Sequence, residues 1–361
     1  MTSVPNSVGR AAGACGAVRR RAVGSALSPC AVPPGGTRPP AGFHARPPAA
    51  LHLACFRLLC LLALALPLGL PAEDFAEPAP LAARGLLLDI TAVGGTLVAV
   101  GDHGHVLISR DHGVTWSQGR VPTRVLLTGV SFPDQAHGWV VGHDGVILAT
   151  ADGGLSWQRQ DDGKQTDTVW LDVLFLDVNR GFAVGAYGKF SQTVDGGKTW
   201  TLAKPTEDEV HFNRITAGDD GHLYLAGEGG LLLVSADGGQ SWTKSEVPYD
   251  GSLFGVLPVA KGLLVTYGLR GHILVSEDHG VHWEPRNSAV KVLIMGGVVL
   301  HDGALLLGGQ GGNFFLSRDA GRTFQPWKSP GFGTSIADLV ATDDGWLVTV
   351  GEAGVVRIKQ P

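Results

Sequence analysis

Four charged side chains, Asp89, Asp172, Arg214 and Asp338, stand at one phase of a repeated strand pattern. Aligned on a G-x-x-G element that follows each of them, the same position reads Gly129, Gly255 and Gly297 in the other copies. Paired carboxylates roughly 5–10 Å apart carry out glycoside hydrolysis. The same groups also suit binding of a cation or a basic side chain, and a hydrated tunnel wall needs no ligand at all. The solvated wall is the preferred reading, with the hydrolase kept as the alternative.

Other chemistry is sparse. His103, His105 and His112 cluster beside Asp102, a grouping that suits a metal. It occurs in one repeat alone, so surface turns are expected there, with no metal and no cofactor. No H-E-x-x-H, G-x-S-x-G or P-loop sequence occurs. Cys15, Cys30, Cys55 and Cys60 all precede Ala72, which leaves the rest without a thiolate nucleophile or a disulfide framework.

What must position these residues is a repeat. The pattern [ST]-x-D-x-G-x-x-[WF] recurs six times, as Asp111-Gly113-Trp116, Asp152-Gly154-Trp157, Asp195-Gly197-Trp200, Asp237-Gly239-Trp242, Asp278-Gly280-Trp283 and Asp319-Gly321-Phe324. Successive aspartates are 41, 43, 42, 41 and 41 residues apart. A G-x-x-G element lies eight residues before each Ser or Thr, and a seventh copy, Gly351/Gly354, precedes the end of the sequence. Each repeat reads as four short strands separated by turns, and a period of about 40–45 residues with four strands is that of a β-propeller.

The expected fold is therefore all-β, a seven-bladed propeller of four-stranded antiparallel blades. Each box has a structural task. Its Asp accepts backbone N–H groups across the turn between the third and fourth strands, and its Gly permits positive φ. Its aromatic residue packs between neighbouring blades. The seventh repeat lacks an outer strand, and Phe75 to Arg84 are expected to supply it and lock the ring.

In this fold the loops entering the inner strands surround the channel mouth. They carry Arg124, Trp170, His211, Phe212, Asn213, Arg214, Phe254, Lys291 and Phe332, aromatic and basic types that anchor protein interfaces.

Charge and targeting narrow the class further. Residues 1–50, rich in Pro, Ala, Gly and Arg, read as a disordered or over-extended start. Within residues 51–72, the apolar run Leu58 to Leu70, preceded by Arg57, reads as a signal peptide cleaved after Ala72. The domain from 73 to 361 holds all 33 acidic residues against 21 basic ones, a net −12 that disfavours nucleic acid as a partner. Export to the periplasm is expected, with the thylakoid lumen as the alternative.

The boxes TVDGGKTW, SADGGQSW and SRDAGRTF, with their VGxxG turns, resemble the BNR/Asp-box superfamily. More narrowly, Arg84 to Lys359 is similar to the photosystem II assembly and stability factor family. That resemblance implies an exported, non-enzymatic propeller that holds a membrane-protein assembly intermediate, without itself spanning the membrane after signal cleavage. It also implies an arginine-bearing face, for which Arg124 and Arg214 are the candidates. Sialidases share the box, but they need an arginine triad, a Tyr/Glu pair and an Arg-Ile-Pro element. Here Arg38-Pro39 and Arg46-Pro47 precede the signal, and only Tyr249-Asp250 places a tyrosine in an inter-blade loop.

Overall fold

In the computed structural model, residues 74–361 are described, apart from 162 and 261. The readings of 1–50 and 51–72 lie outside the described residues. Among the described residues no helix is long and apolar enough to cross a membrane.

Alternating apolar residues and glycine turns produce short antiparallel meanders, each strand pairing with the next in sequence. Blade 1 runs Leu87–Val93, Thr96–Gly101, Val106–Ser109 and Ser117–Gln118, from inner to outer strand. Five more four-stranded blades begin with inner strands Leu127–Ser131, Trp170–Phe175, Phe212–Ala217, Leu253–Ala260 and Ile294–Val299. Blade 7 comprises Ile336–Ala341, Trp346–Gly351 and Val356–Lys359. Each inner strand packs on that of the next blade, and the seventh packs on the first. The chain is a seven-bladed propeller.

The core lies between blades. Val98, Val100 and Ile108 of blade 1 meet Val130, Val140 and Leu148 of blade 2, with Trp157 from the second box among them. Between blades 2 and 3, Trp139 stacks on Phe175 with ring centroids 3.5 Å apart. These apolar inter-blade walls hold the ring together in the absence of any disulfide.

The expected closing strand is corrected. Blade 7 has three strands among the described residues, and Phe75 to Arg84 do not pair with it as a ladder. Glu77-Pro78-Ala79-Pro80 explains why, since two prolines remove the N–H donors that an outer strand requires. The segment instead runs along the outer part of blade 1. The Ala76 N–H donates to the Val121 carbonyl at 2.9 Å, and the Phe75 ring lies under the Arg120 guanidinium. One bond, Val355 N–H to the Ala83 carbonyl, ties it to blade 7. Arg357 Nε, donating to the His112 carbonyl at 3.0 Å, joins blade 7 to blade 1 directly.

The boxes are built as expected, with one addition. The buried Ser109 hydroxyl donates to Asp111 Oδ1 and accepts the Gly113 N–H, while Asp111 Oδ1 accepts the Thr115 N–H at 2.9 Å. The same arrangement recurs around Asp195, Asp278 and Asp319. Hydrogen bonds from Thr115 hold Asp111 down to about 2, and those from Ser241 do the same for Asp237. The leading Ser or Thr is thus as central to the turn as the Asp.

Candidate functional site

Each inner strand carries a register shift just before its channel-facing residue, such as Leu87/Asp89 and Phe212/Arg214. The shift places Asp89, Gly129, Asp172, Arg214, Gly255, Gly296 and Asp338 at one level of the ring, opposite equivalent residues of the second strands. In blade 6 this corrects the level by one residue, from Gly297 to Gly296, which pairs with Gly308 just as Asp172 pairs with Val184 in blade 3.

Arg214 occupies the centre of this level. Its Nη2 lies 3.2 Å from Asp89 Oδ1 and 3.3 Å from Asp338 Oδ2. The aspartates also stitch blade to blade. Asp89 Oδ2 accepts the Val130 N–H of blade 2 at 2.7 Å, and Asp172 Oδ2 accepts the Ile215 N–H of blade 4 at 2.9 Å. Asp172 Oδ1 accepts the Val173 N–H at 2.8 Å.

The glycines make room for this network. A Cβ on Gly129 would fall 2.8 Å from the Asp172 Cα, and one on Gly296 would fall 2.9 Å from Asp338 Oδ1. At Gly255 the space is taken by the Tyr267 hydroxyl, 2.5 Å from where a Cβ would sit. Tyr267, from the second strand of blade 5, is a member of the site that the sequence reading missed. The available signal was a glycine directly opposite a tyrosine in the expected hairpin.

Burial sets the electrostatics. It pushes Asp172 up to about 6, against the opposing pull of Arg214 and two backbone N–H groups. Burial likewise lifts Asp89 well above the usual carboxylate range, with Arg214 opposing and Asp338 adding to the rise. Burial pulls Arg214 down, but Asp338, Asp89 and Asp172 more than offset it and hold the guanidinium charged. Tyr267 is pushed up to about 12 and stays neutral. The level is a compact, mutually compensated knot in which the oxygens of Asp89 and Asp172 already have protein partners.

The proposed rim residues divide sharply. Trp170 and Phe212 are buried between blades, at 2% and 0% exposure, and offer no surface to a partner. Both alternate with inward-facing residues on strands that the sequence reading treated as loop, which corrects their assignment. Arg214 is likewise a channel residue and not a rim residue. Arg124 is on the surface but engaged, 2.7 Å from Asp74 and 2.9 Å from Glu77 of the N-terminal segment. His211 faces Glu228 at 3.4 Å and lies edge-on to Tyr187. Phe254 is partly covered, and Lys291 is exposed.

On this same face the turn Leu269–Gly271 adds Arg270, with Gly271 against the Val290 carbonyl next to Lys291. Tyr249 and His272 stack beside it with ring centroids 4.2 Å apart. Arg270 and Lys291 form no ion pair among the described residues. His103 and His105 belong to this face, while His112 lies in the first box at the other end of the blade, so the three histidines do not converge.

The family model described as photosynthesis system II assembly factor YCF48 matches residues 108–168 and 160–290, half of the chain. The chain belongs to this family. It is 36% identical over 81 residues to the chloroplastic photosystem II stability/assembly factor HCF136 of Cyanidioschyzon merolae, covering 21% of this chain and 18% of that one. It is 43% identical over 47 residues to the photosystem II assembly protein Ycf48 of Synechococcus sp. (strain JA-3-3Ab), covering 12% and 14%. The matched stretches therefore span less than a fifth of these curated relatives.

Two solved structures share the fold over nearly their whole length. One is YCF48 bound to D1 peptide, with a TM-score of 0.64 at 19% identity, covering 81% of this chain and 100% of that one. The other is YCF48 from Cyanidioschyzon merolae, with a TM-score of 0.63 at 19% identity, covering 79% and 98%.

Proposed function

We propose that this chain is a non-catalytic, exported binding factor that holds a membrane protein or its assembly intermediate, in the manner of a photosystem II assembly factor. Membership of the YCF48 family carries the reading. A structural relative with the same fold is one bound to D1 peptide. No nucleic-acid role fits the acidic propeller, and the compartment is the periplasm or the thylakoid lumen.

The channel supports binding over hydrolysis. A glycosidase needs one carboxyl free to protonate a leaving group and another facing the sugar or a water. The raised Asp89 and Asp172 meet the first requirement in proton affinity alone, since their oxygens are spent on Arg214, Val130, Val173 and Ile215.

The docking surface is the face that carries the inter-blade linkers, with Arg270, Lys291, Tyr249 and His272 at its basic, aromatic part. Exposed cations beside stacked rings suit a peptide that bears carboxylates. Affinity capture from solubilised membranes tests the reading. Tagged protein is expected to retain a photosystem II polypeptide such as D1, identified by mass spectrometry, and Arg270→Glu/Lys291→Glu is expected to lose it. Recovery of the tagged chain alone would overturn the proposal.

A further inference from the structure

The turn joining the first two strands of blade 4 has the sequence Asp219-Asp220-Gly221-His222, and blade 7 repeats it as Asp343-Asp344-Gly345-Trp346. Both turns have the same build. The N–H of Gly218 donates to the His222 carbonyl, as that of Thr342 does to Trp346, and Gly221 and Gly345 have φ of 83° and 84°. In blade 7 the second Asp is neutralised by Arg357, which also stacks on Trp346. In blade 4 no arginine does this. The strand position facing Tyr224 there is Val234, as Arg357 faces Val348 in blade 7.

Asp220 instead faces two imidazoles. His222 Nδ1 lies 3.2 Å from Asp220 Oδ1, and His279 Nδ1, from the box of blade 5, lies 2.6 Å from Asp220 Oδ2. One ligand atom from each residue falls within 4.8 Å of the others. Both Nδ1 atoms are buried, and the Asp220 carboxylate is the group that faces them. Tyr224, 1% exposed and beside His222, has a buried hydroxyl that is without a partner among the described residues. A buried hydroxyl without a partner thus lies beside two imidazoles that converge on one carboxylate, where a bound group would satisfy it.

We propose that Asp220, His222 and His279 bind a divalent transition-metal ion of the zinc class, bridging blades 4 and 5. Two imidazoles and a carboxylate are borderline ligands suited to zinc, cobalt or nickel, not to calcium or magnesium. His222 and His279 line a cleft of about 510 Å³ together with Lys244, Glu246 and Asp237. This leaves room for water or for a side chain of a partner. His279 occupies a left-handed position, φ 60°, that Gly238 fills in the box of blade 4 and Ala320, φ 59°, in that of blade 6. A histidine there is not required by the turn.

That precedent supplies the test, because His279→Ala keeps a residue the box accepts. The full chain, stripped with chelator, is titrated with Zn²⁺ by calorimetry and with Co²⁺ by visible absorption. One equivalent is expected to bind with a nitrogen/oxygen-type cobalt spectrum, and Zn²⁺ is expected to raise the thermal midpoint. Both effects are expected to vanish in His279→Ala and Asp220→Asn, whose metal-free midpoints should stay near that of the metal-free parent. Failure of the parent chain to bind, or binding that survives both substitutions, would overturn the site. A cobalt spectrum with thiolate charge transfer, pointing to the cysteines before Ala72, would overturn it as well.

Discussion

The outer rim and the inner ring solve the problem of holding blades in opposite ways. At the rim one device is repeated, a Ser or Thr and an Asp two residues later closing a turn over an aromatic residue. At the channel level the residue is not repeated from blade to blade, since aspartate, glycine and a single arginine share the seven positions, and the charges close on one another across the ring. The rim turn is local, so a blade that lost it would leave the others intact. The inner knot is shared, so its failure is communicated to blades 1, 3, 4 and 7 together. Periodic chemistry here fixes each blade, and aperiodic chemistry fixes their order in the circle.

The largest effect expected from this contrast comes from Arg214→Leu. It leaves Asp89, Asp172 and Asp338 buried without a cation and should cost about 3–5 kcal/mol in chemical denaturation. A loss below that of a single rim turn would break the contrast. Ser109→Ala comes next. It removes an acceptor for the buried Gly113 N–H and a donor to Asp111, with an expected cost of about 1–3 kcal/mol. That loss should be confined to amides of blade 1 in hydrogen exchange, whereas Arg214→Leu should accelerate exchange around the ring.

The smallest effect is in pH dependence, where the two regions have opposite signs. Asp172 rises from 3.8 to about 6 on folding, so the folded state holds its proton more tightly. Its contribution to stability is therefore lost as pH rises from about 4 to about 6. The rim acids Asp111, Asp237, Asp278 and Asp319, held at about 2, act the other way, stabilising above their unfolded value and losing that as pH falls through it. Thermal midpoints taken from pH 4 to 7 should fall more steeply for the parent than for Asp172→Asn. Equal slopes would contradict the burial of that proton.

The rim was readable from spacing alone, because a turn brings its own partners within eight residues. The blade count, the strand order and the aromatic inter-blade wall follow from it. Asp89, Asp172, Arg214 and Asp338 could be aligned to one level, but not paired, because Arg214 and Asp89 are 125 residues apart and meet only through ring closure. Trp170 and Phe212 were misjudged for a related reason. Large residues beside a predicted loop resemble anchors until the bulge that turns them inward is known. Phe75 to Arg84 completed the count of strands on paper, whereas the two prolines in the segment decide against a ladder. Asp220 and His279 lie in different blades, and no local pattern links them.

In the proposed function a membrane-protein peptide docks on the linker face, and the box face serves as the control. A binding titration against a captured D1 peptide, run with two charge-matched double substitutions, tests it most directly. Arg270→Glu/Lys291→Glu on the linker face should abolish binding, while Lys198→Glu/Arg322→Glu on the box side should leave the affinity unchanged. Binding that is lost only with the box-side pair, or unaffected by either pair, would contradict the account.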